Sequence, residues 1–311
     1  MEYRKLGNSD LEVPAIGLGT WAMGGDMYGD VDDKKSIETI KTAVNNGITL
    51  IDTAPAYGAG HAEEIVGKAI KEIKDKVILA TKCGTYKTDG NFYRDLSPKI
   101  IRKQLEKSLT ALGVETIDLY QIHWPDPDTP LEKTVEELIR LKEQGKFRYL
   151  GVSNFDTELL EEISGLTDIV SLQPQYSILH RDIEEKILPY TQNNNIGILA
   201  YGPLGGGILT GKYREQPPAD KRGEFYPFFK EPQWSRVQDL ITLLEDIADS
   251  HNQPIAHVAI NWVKQQQGIT SVLVGCKSPE QAKQNARAGD WNLKKKEIKE
   301  IDQAYRDIFH K

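Results

Sequence analysis

The chain has 311 residues, 39% hydrophobic and 27% charged, enough for one large α/β domain or two ordinary ones around a sizeable core. Forty-six acids against 39 lysines and arginines leave a formal charge of −7, which disfavours nucleic acid and anionic membranes as main partners, though a few local cations could still hold an anionic ligand. Two cysteines, Cys83 and Cys276, argue against a disulfide scaffold, and with no apolar signal core or membrane-length run the expectation is a cytoplasmic enzyme.

In chain order, the apolar residues of 3–6 and 11–13 flank the turn-forming Gly7-Asn8-Ser9-Asp10 and predict an opening hairpin. A strand over 15–19 follows, then helical apolar spacing over 34–46 that stops at Gly47. From there the alternation repeats, with strands over 48–51, 77–81, 117–122, 149–152 and 169–173. Their helices are read over 63–72, 98–112, 131–144, 157–164 and 183–193. A seventh strand over 197–201 enters a long irregular stretch, followed by helices over 234–250 and 255–266. The eighth strand, 271–274, precedes a helix over 279–288, and a last amphipathic helix over 294–309 is expected to pack outside. Eight short apolar strands, each followed by a helix, predict a (β/α)8 TIM barrel of α/β class. An open doubly wound sheet is the alternative. No linker or shift of composition divides the chain, so 1–311 is read as a single domain.

The carboxyl ends of barrel strands share one face, so residues far apart in sequence meet there. The second strand ends in Leu50-Ile51-Asp52-Thr53-Ala54-Pro55-Ala56-Tyr57-Gly58, which delivers Asp52 and, on the following loop, Tyr57. The later strand ends add Lys82, His123 with Trp124, Ser153 with Asn154, Gln173, Tyr201, and Gly275 with Lys277. A phenol with a pKa near about 10 is a poor acid at neutral pH, and a nearby ammonium lowers that value. A carboxylate can hold the ammonium, and a neutral imidazole can hydrogen-bond a carbonyl oxygen. Together these groups suit protonation of an alkoxide developing on a carbonyl. Each also has a plain reading: Asp52 as a loop anchor, Lys82 as a solvated strand end, His123 as a core histidine, Tyr57 as loop packing. Their occurrence at successive strand ends favours the functional one.

Several motifs resemble the aldo-keto reductases, in order and over almost the whole chain. They are Gly17-Leu18-Gly19-Thr20-Trp21, Asp52-Thr53-Ala54-x-x-Tyr57-Gly58, Ala80-Thr81-Lys82 and Asp118-Leu119-Tyr120-x-x-His123-Trp124-Pro125. Gly151-Val152-Ser153-Asn154-Phe155 and Leu204-x-x-Gly207-x-Leu209-Thr210-Gly211-Lys212-Tyr213 complete the set. The resemblance is greatest to the bacterial branch that includes general-stress and inositol-operon reductases, and it extends to the potassium-channel β subunits. It implies NADPH/NADP+ as cofactor and reversible reduction of aldehydes or ketones. It further implies Tyr57 as general acid, Lys82 lowering its pKa, Asp52 paired with Lys82, and His123 orienting the carbonyl. Ser153, Asn154 and Gln173 would hold the nicotinamide carboxamide and Tyr201 would stack on the ring. Thr20, Trp21, Asp52, Gly202, Leu204, Gly207 and Gly275 are further implied cofactor contacts, with Trp21, Tyr57 and Trp124 lining the substrate pocket. For Ser153 and Asn154, capping of the next helix is an alternative role.

Gly206-x-x-x-x-Gly211-Lys212 superficially matches a P-loop, but Tyr213 stands where a magnesium-binding Ser or Thr is needed. The glycines are better read as a cradle for pyrophosphate, with Lys212 as a point cation. Gly17-Leu18-Gly19 is no dinucleotide fingerprint either, since Trp21 intrudes where a helix should begin. After the eighth strand, Lys277 precedes a helix start and could neutralise a 2′-phosphate, with Gln281 and Asn285 placed toward the adenine. The aromatic Phe225-Tyr226-Pro227-Phe228-Phe229 within residues 202–233 predicts a belt over the cofactor. The sequence ends about two residues past the last predicted helix, from which an open site and broad selectivity are expected. Ala62, where relatives often carry Ser, is expected to weaken one helix cap. Six scattered histidines give no metal motif. The expected partner is a small carbonyl or alcohol, with no nucleic acid or membrane, and a monomer is favoured. The rival reading is an NADPH-binding redox sensor with little turnover.

Overall fold

The structure, a computed structural model, describes residues 1–88 and 91–309. Strands β1 (Tyr3–Lys5) and β2 (Glu12–Pro14) form the antiparallel opening hairpin. Eight parallel strands then close into a barrel: β3 (Ile16–Gly19), β4 (Leu50–Asp52), β5 (Ile78–Cys83), β8 (Ile117–Ile122), β9 (Phe147–Ser153), β10 (Ser171–Gln173), β11 (Gly197–Tyr201) and β12 (Ile269–Gly275). Closure is made by β12 against β3, with Val272 opposite Ile16 and Gly275 opposite Gly19.

The barrel follows from two-residue alternation within strands buried on both faces. Ile51, Leu79, Tyr120, Ile122, Val152, Leu172, Ile198 and Val272 belong to the large outer core shared with the helices. Leu50, Ala80, Leu119, Leu199 and Leu273 belong to a separate inner cluster, which Leu6, Leu11 and Val13 of the opening hairpin join. The hairpin therefore plugs the end of the barrel where the strands begin. Two residues beyond several inner positions the same face turns polar: Leu50 gives way to Asp52, Ala80 to Lys82, Leu119 to Gln121, and Leu199 to Tyr201. An apolar floor and a polar mouth are thus written into single strands.

The outer layer comprises α1 (Asp33–Asn45), α2 (His61–Ile70), α3 (Pro98–Leu112), α4 (Leu131–Glu143), α5 (Thr157–Leu166), α6 (Ile187–Asn193), α9 (Ile255–Lys264) and α10 (Pro279–Arg287). The long α8 (Gln233–Ser250) packs against the terminal α11 (Lys295–Phe309), as expected for an outer helix. No helix of the described residues is long and apolar enough to cross a membrane.

Three readings need correction. The sixth helix begins at Ile187 rather than residue 183, which keeps Pro189 in the first turn, where a missing N–H costs nothing. The helix after β9 is capped by Asp156, whose carboxylate accepts the Leu159 N–H, so neither Ser153 nor Asn154 is the cap. α2 starts at His61 behind Gly60, which leaves Ala62 buried inside its first turn and not at the cap. The segment after β5, to which no element is assigned from the sequence, is structured. It forms a second antiparallel hairpin, β6 (Thr85–Thr88) with β7 (Asn91–Arg94), and Asp89-Gly90 between them lies outside the described residues. The irregular stretch after β11 also holds a single turn of helix, α7 (Arg222–Phe225).

Candidate active site

The centre of the barrel mouth is Lys82, fully buried at the carboxyl end of β5. Its ammonium donates to Asp52 Oδ1 at 2.6 Å, to the Thr53 carbonyl at 2.9 Å and to the Tyr57 hydroxyl at 3.1 Å. Three donors meet three acceptors, so the buried charge is completely satisfied. The other carboxylate oxygen of Asp52 accepts from Gln173 Nε2 at 2.8 Å and Gln121 Nε2 at 3.2 Å. Gln121 was not anticipated. It lies on β8 two residues before His123, on the same inward face, and that alternation was the available signal.

Tyr57 sits on a 3-10 turn, Tyr57–Gly60, held by close backbone contact with Gly24. Its ring stacks on Trp21 with centroids 6.0 Å apart and meets the His123 ring edge-on at 5.8 Å. Burial, reinforced by the Asp52, Asp26 and Tyr226 charges, pushes the Tyr57 phenol well above its ordinary range. Burial, with the Asp52 charge close by, therefore outweighs the lowering expected from Lys82. Lys82 itself is shifted down by burial, against the pull of Asp52. Burial, then Lys82 and Arg94, hold His123 well below its ordinary value, so its imidazole is neutral at pH 7. His123 Nδ1 is buried without a hydrogen-bond partner among the described residues.

The remaining mouth residues lock one another. Ser153 Oγ donates to the Gln173 carbonyl at 2.7 Å, and Asn154 Nδ2 donates to the His123 carbonyl at 3.0 Å and to Ser153 Oγ at 2.9 Å. The Tyr201 hydroxyl donates to Asn154 Oδ1 at 2.9 Å, which fixes the Tyr201 ring at the end of β11. Both Asn154 amide protons are thus spent, leaving Oδ1 with one lone pair for a further donor. Thr20 Oγ1 donates to the Asp52 carbonyl at 3.0 Å.

Beyond Tyr201 and Gly202, residues Gly205, Gly206 and Gly207 all take positive φ, at 55°, 72° and 102°, in the turn that follows Leu204. A Cβ on Gly206 would fall 2.5 Å from the Tyr226 ring, so only glycine lets the belt lie on this turn. Lys212 is exposed over the Tyr213 ring at 5.7 Å. At the start of α10, Ser278 Oγ caps the Gln281 N–H, Gln281 Oε1 accepts the Lys277 N–H at 2.7 Å, and Asn285 is buried. The Lys277 ammonium, beside the exposed Gly275, donates to the Tyr28 carbonyl at 2.6 Å. A flat ring at β11, a glycine turn free of Cβ atoms and a capped helix start with a lysine fit a dinucleotide laid across the mouth. Among the described residues, no group of His, Cys, Asp and Glu could hold a metal ion.

The Aldo/keto reductase family model matches residues 15–306. Aldo-keto reductase YhdN of Bacillus subtilis is 40% identical over 307 residues, covering 97% of this chain and 93% of its own. The NADH-specific methylglyoxal reductase of Escherichia coli is 35% identical over 310 residues, covering 94% and 95%. Glycerol dehydrogenase AKR11B4 from Gluconobacter oxydans superposes with a TM-score of 0.92 at 37% identity, over 100% of this chain and 97% of that one. A closed parallel barrel with the motif order intact and a match over nearly its full length lead to one conclusion: the chain belongs to the aldo-keto reductase family.

Proposed function

We propose that this protein is an NADPH-dependent reductase of aldehydes and ketones in which Tyr57 donates the proton to the carbonyl oxygen. The observation that carries this reading is the Lys82–Tyr57 hydrogen bond at 3.1 Å. Because the ammonium donates to the phenol oxygen, the phenol's own proton is free to be directed outward to a substrate. Burial keeps that proton in place at neutral pH, so the acid form is the resting form. As an alkoxide develops on the substrate, the phenol gives up its proton and Lys82 stabilises the phenolate left behind. Asp52 keeps Lys82 charged and fixed, while Gln121 and Gln173 keep Asp52 in place. Neutral His123 directs an N–H at the carbonyl oxygen, with Trp21 and Trp124 as the walls. The nicotinamide supplies the hydride when bound.

Ser153, Asn154, Gln173 and Tyr201 would receive the nicotinamide end, Asn154 through its remaining lone pair. Thr20, Trp21 and Asp52 would border it. Gly202, Leu204, Gly207 and Lys212 would receive the pyrophosphate. Gly275, Lys277, Gln281 and Asn285 would receive the adenosine end, where Lys277 gives up the Tyr28 carbonyl for a 2′-phosphate. The Escherichia coli relative is named NADH-specific, so the preference for NADPH rests here on Lys277. The names of the relatives, a methylglyoxal reductase and a glycerol dehydrogenase, support small polar carbonyl and alcohol substrates. Tyr57→Phe is expected to bind NADPH within about twofold of wild type and to lose about a hundredfold or more of carbonyl reduction. Fluorescence titration and steady-state kinetics measure both, and near-normal turnover would refute Tyr57 as the donor.

A further inference from the structure

The β6–β7 hairpin leans over the mouth with one face. Its register pairs Lys87 with Phe92 and Thr85 with Arg94, so these four side chains share a side, while Tyr86 stacks on Tyr93 on the other at 5.6 Å. The mouth-facing side carries two cations of unequal standing. Lys87 reaches the loop beside Tyr57 and pairs with Asp26 at 3.4 Å, so its charge is answered. Arg94 lays its guanidinium over the Trp124 ring, 4.7 Å from the centroid, one residue from His123. Among the described residues, it has no ion pair and no side-chain hydrogen bond.

Asp126, on which the Arg94 charge acts without forming an ion pair, and Asp95 are both engaged by other donors. Asp126 accepts from the Leu96 and Asp128 N–H groups and the Thr129 hydroxyl. Asp95 accepts the Ser97 N–H. Both carboxylates hold the loop in shape. The Arg94 charge is nevertheless felt at the centre, where it helps keep His123 neutral. A guanidinium stacked on an aromatic face keeps its N–H edge available, and that edge matches a carboxylate or phosphate in two-pronged fashion.

We propose that Arg94 is a specificity-determining residue that binds the anionic end, carboxylate or phosphate, of an aldehyde or ketone substrate whose carbonyl lies between Tyr57 and His123. This rests on the reductase reading of the site. Anchoring the far end at Arg94 restricts the carbonyl to the neighbourhood of His123, so the gain appears in kcat/KM.

The test uses the holoenzyme and two matched pairs, 4-oxobutanoate against butanal and glyceraldehyde 3-phosphate against glyceraldehyde. Wild type is expected to favour the anionic member of at least one pair. Arg94→Met keeps an apolar stem on Trp124 and removes the charge, and should lower the anionic-to-neutral ratio of kcat/KM about tenfold or more. Arg94→Lys should restore part of that ratio, and raising salt from about 50 to about 500 mM should erode it in wild type only. The pair that responds tells which anion is the ligand. Equal effects on both members of both pairs, or none, would overturn the inference. If wild type reduces none of the four compounds, the reductase reading fails. Succinate titration of the NADP+ complex by tryptophan fluorescence then decides for Arg94: binding lost in Arg94→Met supports it, and equal binding or no binding in both proteins overturns it.

Discussion

At the scale of single residues, the site is an exercise in matching donors to acceptors. Asp52 accepts from Lys82, Gln121 and Gln173, and Lys82 gives all three of its protons away. Removing the charge of Asp52 therefore does more than weaken one contact. In Asp52→Asn the new amide group confronts donors on every side, and the buried ammonium loses its counter-charge. Breaking such a pair costs about 3–5 kcal/mol, a loss that urea unfolding followed by tryptophan fluorescence would measure. The pH dependence has a defined sign. Burial already depresses Lys82, and losing Asp52 depresses it further, so in the window below about pH 10 the unfolded chain binds more protons than the folded one. Stability of the variant should rise with pH across that window, and its deficit against wild type should narrow from pH 6 toward pH 9. A deficit constant in pH would mean that Lys82 stays charged without its partner.

At the scale of elements, backbone contacts decide where the Tyr57 turn sits. Gly24, behind the short helical turn of Trp21–Met23, lies against the Tyr57–Gly60 turn so closely that a Cβ would fall 2.6 Å from the Gly58 nitrogen. Its φ of −77° suits any residue, so the demand on this glycine is space alone. Gly24→Ala should push the Trp21 turn off Tyr57, cost about 1–3 kcal/mol of stability, and lower kcat/KM more than it alters NADPH affinity. Thermal unfolding and kinetics on one preparation check this, and an unchanged kcat/KM would show that the two turns move independently. None of this closeness is visible in the sequence, where Gly24 and Gly58 are simply loop glycines. The eight barrel strands and their polar ends were legible, because two-residue alternation and the motif order both mark the inward face. Gln121 carries the same mark two residues before His123, but inside a motif whose chemistry points to the imidazole. The β6–β7 hairpin had its own signal, alternating Thr85 to Thr88 before Asp89-Gly90, yet its strands cover no core and so lack the apolar pattern that makes a strand conspicuous. Arg94 matters only once that hairpin lies over Trp124, a relation set by tertiary structure.

At the scale of the whole molecule, three connections that are distant in sequence close on one another across the mouth. The loop after β3 brings Tyr28, the stretch after β11 brings Arg222, Phe225 and Tyr226, and the loop after β12 brings Lys277. Arg222 lies over the Tyr28 ring at 5.1 Å and donates to the Gly206 carbonyl at 3.0 Å, while Phe225 meets Trp21 edge-on at 6.2 Å. Lys277 ties the Tyr28 carbonyl from the other side. Tyr226 and Phe229 anchor the belt in the core, but its outer edge is open, with Phe225 58% exposed, so that edge should open locally at lower cost than the barrel. A dinucleotide lying beneath it would add contacts from the glycine turn to α10 and hold it shut. Trypsin offers a direct measure, since Lys221 and Lys230 flank the belt and both are exposed. Saturating NADPH should slow cleavage between these residues about tenfold or more, because the enzyme must wait for an opening that bound cofactor makes rarer. NADH should protect less if Lys277 reads the 2′-phosphate, and Lys277→Met should abolish the difference between the two cofactors. Equal cleavage with and without NADPH would mean that the belt is fixed by Arg222 and Tyr28 alone and takes no part in holding the cofactor.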